Sequence, residues 1–247
     1  MQDMHQHYNW VLVGLSYAVS VLGSFTALQF ALGIPLAQSS SQRWGAILAA
    51  GTAMGGGAIW AMHFIAMLAC NMGTQVTYDV LLTTVSALLA IVACSLGLAI
   101  VGNGAFRFLN LLFAGVLMGL GVAGMHYLGM TAMLSSAQMS YDGGIVALSV
   151  GIAIVASMAA LWLAFNLRGK LQMLGSALVM GVAVCGMHYT GMSALELSQG
   201  DVLPAGFERG VQGDHLGLAI FVVVVSLLAV ALGLSIVRQQ RRAAVSI

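Results

Sequence analysis

The sequence predicts an all-α integral membrane protein of seven transmembrane helices, and three observations carry that prediction. Of 247 residues, 60% are hydrophobic and 6% charged, where a soluble domain carries about 25% charged residues; mean hydropathy is +0.99. Seven uninterrupted apolar stretches reach the roughly 20 residues that a helix needs to cross a bilayer. The few basic residues fall almost entirely on one side of those stretches. Barrel strands are excluded, since they would be about ten residues long and alternate in polarity.

With so few charges, each one marks a place where the chain meets water. The first span, Asn9 to Leu32, lies between Asp3 and Arg43. The second, Trp44 to Ala69, ends before Asp79, which opens the third, Val80 to Val101. Arg107 precedes the fourth, Phe108 to Met133, and Asp142 the fifth, Ile145 to Phe165. Lys170 opens the sixth, Leu171 to Leu195, and Asp214 the seventh, Leu216 to Val237.

Cytoplasmic loops collect Lys and Arg. Arg43, Arg107, Arg168, Lys170, Arg238, Arg241 and Arg242 share one side, and Arg209 alone faces the other, together with Asp3, Asp79, Asp142, Glu196, Asp201, Glu208 and Asp214. The N-terminus is therefore expected outside the cell membrane and the C-terminus in the cytoplasm. The first apolar stretch is too long for a signal-peptide core and lacks a preceding basic region, so it reads as an uncleaved anchor. A net charge of +1 leaves no basic surface for a nucleic-acid backbone. Three cysteines, Cys70, Cys94 and Cys185, cannot form a closed disulfide framework; Cys94 and Cys185 read as small apolar packing residues.

Internal repetition organises the chain. Met62-His63-Phe64-Ile65-Ala66-Met67, Met125-His126-Tyr127-Leu128-Gly129-Met130 and Met187-His188-Tyr189-Thr190-Gly191-Met192 recur 63 and 62 residues apart, each in an even-numbered span. The odd spans open on Tyr8-Asn9, Tyr78-Asp79 and Tyr141-Asp142, with Ser16, Ser86 and Ser149 eight residues after each Tyr. The unit is a helical hairpin repeated over about 8–70, 78–133 and 141–195, followed by a closing helix over about 216–237, all within one membrane domain spanning 1–247. The chain stops about ten residues past the last span, so no cytoplasmic output domain is expected. Eleven and seven residues before each His lie Thr52 and Gly56, Gly115 and Gly119, Ala177 and Gly181, small residues that let helices pack closely in lipid. Exposed Gly and Ala faces would also permit a homodimer.

An ionisable side chain inside a span is costly and marks a functional site. His63, His126 and His188 each sit about seven residues, roughly 10 Å, from the outer end of their span. At 100° per residue, Met67, Met130 and Met192 share the His face one turn farther out. Met62, Met125 and Met187 point about 100° away and could join only from the flank. Position seven after the His holds Cys70, Met133 and Leu195 on the same helical face, so Cys70 and Met133 are weaker candidates. Imidazole with thioether suits a soft or borderline transition metal, copper first, with zinc as an alternative. The bland readings are hydrogen-bonded interhelical His and core-filling Met. Phe64, Tyr127 and Tyr189 read as packing aromatics, His215 as interfacial, and Met4, His5 and His7 as a solvated tail able to capture a metal.

Together these features resemble the MHYT domain family of bacterial membrane sensors, and the resemblance covers essentially the whole chain. Phe64-Ile65 and Leu128 depart from the literal motif, so no hydroxyl after the aromatic can be needed in all three copies. The resemblance implies copper bound near the outer face by His and Met, sensing oxygen, carbon monoxide, nitric oxide or a similar small ligand. It also implies a cytoplasmic signalling partner in the cyclic di-GMP pathway. Competing readings are a copper carrier or permease, a three-His zinc hydrolase and a haem protein. Against the hydrolase, no Asp or Glu lies inside a span; against the carrier, the face below the His reads as Gly, Ala and Thr, with no polar pathway.

Overall fold

The computed structural model describes residues 7–71, 73–103, 107–166, 169–198, 200 and 202–245. Asp3, Met4, His5, Arg168 and Asp201 lie outside the described residues, and for His7, Arg238, Arg241 and Arg242 only the backbone is described. Seven helices follow one another: α1 Trp10–Ala31, α2 Ser40–Ala69, α3 Val80–Gly102, α4 Phe108–Thr131, α5 Gly143–Asn166, α6 Lys170–Ser193 and α7 Gly213–Val245. All seven are long and apolar enough to cross a membrane. Their outward surfaces carry exposed Leu81, Phe113, Val155, Leu171 and Leu227, while buried Ser16, Ser20, Ser24, Ser86, Ser149 and the three His face inward among Ala and Met.

The Tyr-Asx openings acquire a structural meaning. Asn9, Asp79 and Asp142 are the N-caps of the odd helices. Asn9 accepts from the Val11 and Leu12 amides at 3.0 and 3.4 Å, Asp79 from Leu82 at 2.8 Å, and Asp142 from Gly144 and Ile145 at 2.8 and 2.9 Å. Each satisfies amide groups that a helix start leaves unpaired. Asp79→Ala is expected to cost about 1 kcal/mol, read as a lower unfolding midpoint of the detergent-solubilised protein, with Asp79→Asn close to wild type; equal midpoints for all three would show that the cap contributes nothing.

Short antiparallel strands join the hairpins at one end. β1 His7–Tyr8 pairs with β2 Cys70–Asn71, β3 Thr77–Tyr78 with β4 Met133–Leu134, and β5 Gln138–Tyr141 with β6 Leu195–Ser198; β7 Val211–Gln212 adds a third strand beside β3. The register repeats: Tyr8 faces Cys70, Tyr78 faces Met133 and Tyr141 faces Leu195. The amides of Asn9, Asp79 and Asp142 donate to the carbonyls of Ala69, Ala132 and Ala194. Met133 and Leu195 therefore lie in strands, not at the ends of spans as the hydropathy implied, because each even helix gives way to extended chain once this pairing becomes available.

The first six helices close into a ring: each packs on its chain neighbours, and α6 packs back on α1. The closing helix α7 lies outside the ring against α1 and α2, where Leu228 is seated on Gly57. Within the ring the even helices meet the odd helix that follows them through small residues. A Cβ on Gly119 would meet the backbone of Ile154, one on Gly115 the Met158 side chain, and one on Gly181 would meet Tyr17 and Val21.

In α2 the spacing expected from the other repeats fails. Thr52 is exposed and Gly56 only half-buried, whereas Gly51 and Gly55 make the close approach, to Ser95 and to the backbone of Ala90. The cause is a π-helical stretch, Thr52–Trp60, in which the backbone hydrogen bonds skip one residue more than in an α-helix. A π turn absorbs one inserted residue while keeping the phase of the helix on either side. Gly51 and Gly55 thus do in α2 what Gly115 and Gly119 do in α4, one position farther from the His.

Candidate metal centre

α2, α4 and α6 carry His63, His126 and His188 to the axis of the ring, where all three are 1% exposed. The Nδ1 atoms point at one another: His63 to His188 at 3.0 Å and His126 to His63 at 3.2 Å. Ligand atoms of all three lie within 4.8 Å. The rings stand edge to face at centroid distances of 4.9 to 5.2 Å.

Each Nε2 is buried and has no hydrogen-bond partner. Two of them are turned onto glycine: a Cβ on Gly129 would collide with Nε2 of His63, and one on Gly191 with Nε2 of His126. These glycines stand three residues after the next His in the ring, where the first repeat has Ala66. Close helix approach and His placement are thereby one constraint.

Aromatic residues relay the repeats to one another. Phe64 meets Tyr78, Tyr127 meets Tyr141 and Tyr189 meets Tyr8, at 5.7, 5.8 and 5.7 Å. Each motif aromatic thus touches the opening tyrosine of the next repeat, and the third closes on the first. The Tyr127 hydroxyl lies 2.6 Å from Ser149 Oγ. Phe64 has no hydroxyl, and Trp60 takes over the equivalent serine, its Nε1–H donating to Ser86 Oγ at 3.0 Å and to the Thr83 carbonyl at 3.2 Å. That substitution explains how the first motif does without tyrosine.

The methionines divide into layers. Met67, Met130 and Met192, each at most 1% exposed, form an apolar cluster on the strand side of the triad, with Cys70 and Met133 in the same cluster. Cys70 and Met133 do not sit on the helical His face expected from a continued helix, because both have passed into strands. Burial pushes the Cys70 thiol up from its usual range, the Tyr8 hydrogen bond opposing this more weakly. Met62, Met125 and Met187, expected at the flank, line a cavity together with the three His on the side away from the strands.

That cavity also contains residues that repeat-by-repeat reading passes over. Met54, Met118 and Met180 line it, each followed directly by the close-packing glycine, Gly55, Gly119 or Gly181. Counted from the His they fall at nine, eight and eight residues, and the extra residue of the π turn hides the match. The recurring Met-Gly pair was the signal. Below the triad the cavity is thus bordered by methionine side chains among small and apolar residues, methionines that counting along the His face passes over.

A seven-helix bundle with a repeated His–Met centre on its axis defines a membrane-embedded module of three homologous hairpins. The sequence matches the MHYT family, described as a bacterial signalling protein N-terminal repeat, over residues 56–114, 119–177 and 181–247. The chain belongs to the MHYT family. It is 39% identical over 97% of its length to the bifunctional diguanylate cyclase/cyclic di-GMP phosphodiesterase MucR of Pseudomonas aeruginosa, covering 35% of that protein. It is 37% identical over 85% of its length to the cyclic di-GMP phosphodiesterase NbdA of the same organism, covering 27% of it, and 28% identical over 90% of its length to the signaling protein YkoW of Bacillus subtilis, covering 28% of that relative. The chain thus spans about a third of the length of these relatives. No solved structure matches it.

Proposed function

We propose that this bundle is a membrane sensory module that holds copper on its axis through His63, His126 and His188, with Met67, Met130, Met192, Met62, Met125 and Met187 as the surrounding thioethers. The observation that carries the reading is the meeting of three imidazole Nδ1 atoms. A neutral imidazole nitrogen holds either a proton or a lone pair, so His63 Nδ1, facing two partners, cannot donate to one and accept from the other. A single proton can at best be shared between both contacts, whereas a cation among the three lone pairs is met by each of them directly. The spacings of 3.0 and 3.2 Å come close to those of nitrogens that each lie about 2.0 to 2.1 Å from one ion. Bound metal would supply an open coordination position for a small ligand such as oxygen, carbon monoxide or nitric oxide.

The basic residues Arg43, Arg107 and Lys170 stand at the starts of α2, α4 and α6, opposite the strand pairs, and the positive-inside tendency supports a reading in which the strand end and the triad face the outside of the cell membrane. Signal would pass to cyclic di-GMP turnover, in a partner or in further domains of a longer protein, as the names of MucR and NbdA suggest. Among the described residues, the cavity beside the triad contains no carboxylate to serve as a base, which favours sensing over hydrolysis.

Elemental analysis of the detergent-purified protein tests the proposal. Copper is expected in the wild type, with most of it lost in His126→Ala at an unchanged gel-filtration profile. Metal content that ignores His126, or protein that takes up no copper when Cu(I) is supplied, would overturn it.

A further inference from the structure

We propose that the cavity beneath the triad is a second binding position, built from thioethers and taking a soft monovalent cation of the Cu(I) type. This goes beyond the histidine centre, since Met54, Met118 and Met180 belong to no motif with the His. Three observations converge on it. Met54, Met118 and Met180 are 1%, 1% and 5% exposed, and they line one cavity with Met62, Met125 and Met187 beside the three His, so six thioether side chains border it. The first repeat carries an extra residue between Met54 and His63, and the π turn places Met54 in the same cavity despite it; π turns are frequent at functional sites. Ser24, fully buried, lines the cavity with an Oγ that has no hydrogen-bond partner, and an unsatisfied buried hydroxyl is destabilising until something completes it.

The free volume of about 40 Å³ exceeds the roughly 10 to 15 Å³ that one water needs, so there is room for a single ion. The donors decide which ion. Thioether is a soft, neutral ligand that selects Cu(I) over hard cations, which require oxygen. Among the described residues, no carboxylate lines the cavity to compensate charge. The cost of burying an ion grows with the square of its charge, so a divalent ion pays about four times the penalty of a monovalent one. Zinc and Cu(II) are disfavoured on that ground.

Ag(I), soft, monovalent and redox-inert, is the probe. The full chain is loaded with Ag(I) in detergent, bound silver is counted after gel filtration, and its neighbours are identified by X-ray absorption. His126→Ala is expected to retain a silver ion with sulfur neighbours only. Adding Met118→Leu and Met180→Leu, which nearly conserve volume, is expected to weaken that site at least about tenfold, whereas Met173→Leu, outside the cavity, leaves it unchanged. Met118→Leu alone, with a milder loss in the same direction, serves if the combined variant does not fold. Silver retained at wild-type affinity in the Met118→Leu variants, or lost with His126→Ala alone, would overturn the inner site. Absence of nitrogen neighbours in the wild type would count against the triad as a metal centre and leave the inner site standing.

Discussion

Alanine at Gly55 or Gly119 is expected to lower the unfolding midpoint of the solubilised protein by more than any surface change, at a cost of about 1–3 kcal/mol or beyond. The added Cβ would press on the backbone of Ala90 in the first case and of Ile154 in the second, and backbone within a packed helix pair has nowhere to go. Gly14, Gly151 and Gly175 supply the internal control, since a Cβ there meets nothing within 4 Å. Alanine at those three positions is expected to be neutral or to stabilise by about 0.5–1 kcal/mol, through the lower entropy of the unfolded chain. Midpoints that fall equally in both groups would mean that general helix sensitivity, not the close approach, is being measured.

The second large effect is expected at Gly129 and Gly191. Alanine at either would drive its methyl into the Nε2 edge of a histidine from the preceding repeat, His63 or His126, swinging that ring away from the axis. Residues that only orient a ligand typically change metal affinity by about 10- to 100-fold, and a loss of that size is expected when Cu(I) is withdrawn with a competing chelator. Ala66→Gly, at the third equivalent position, removes a methyl and is expected to keep affinity close to wild type. Gly129→Ala and Gly191→Ala variants with full affinity would show that ring orientation does not control the centre.

Much of this architecture was legible in the residues. Charges near the helix ends delimited the helices to within a few positions, except that α7 continues past Val237 through Arg238, Arg241 and Arg242 to Val245, because a charge ends an apolar span without ending a helix. The three His were found at one depth because motif spacing is a helical ruler. That ruler failed in two places, each for a physical reason. It assigned Thr52 and Gly56 to the packing face and missed Met54, because a π turn changes the count without changing the composition. It also carried helical phase through Cys70 and Met133, although the helices end at Ala69 and Thr131, where backbone pairing with the opening tyrosine of the same repeat wins. The pairing itself leaves only the Tyr-Asx dipeptide as a sequence trace.

The nested order of the contacts has an evolutionary reading. Strand pairing fastens each hairpin to itself, Tyr8 with Cys70, Tyr78 with Met133 and Tyr141 with Leu195, while the aromatic pairs and the His–Gly contacts cross from one hairpin to another. A single ancestral hairpin would own only a third of the centre, and three identical copies would have to gather to complete it. Fusion into one chain then freed the copies to diverge: the first could lose its tyrosine hydroxyl and gain a residue, and the seventh helix could settle mainly against that copy. The present asymmetry would be the record of a symmetric assembly that no longer had to stay symmetric.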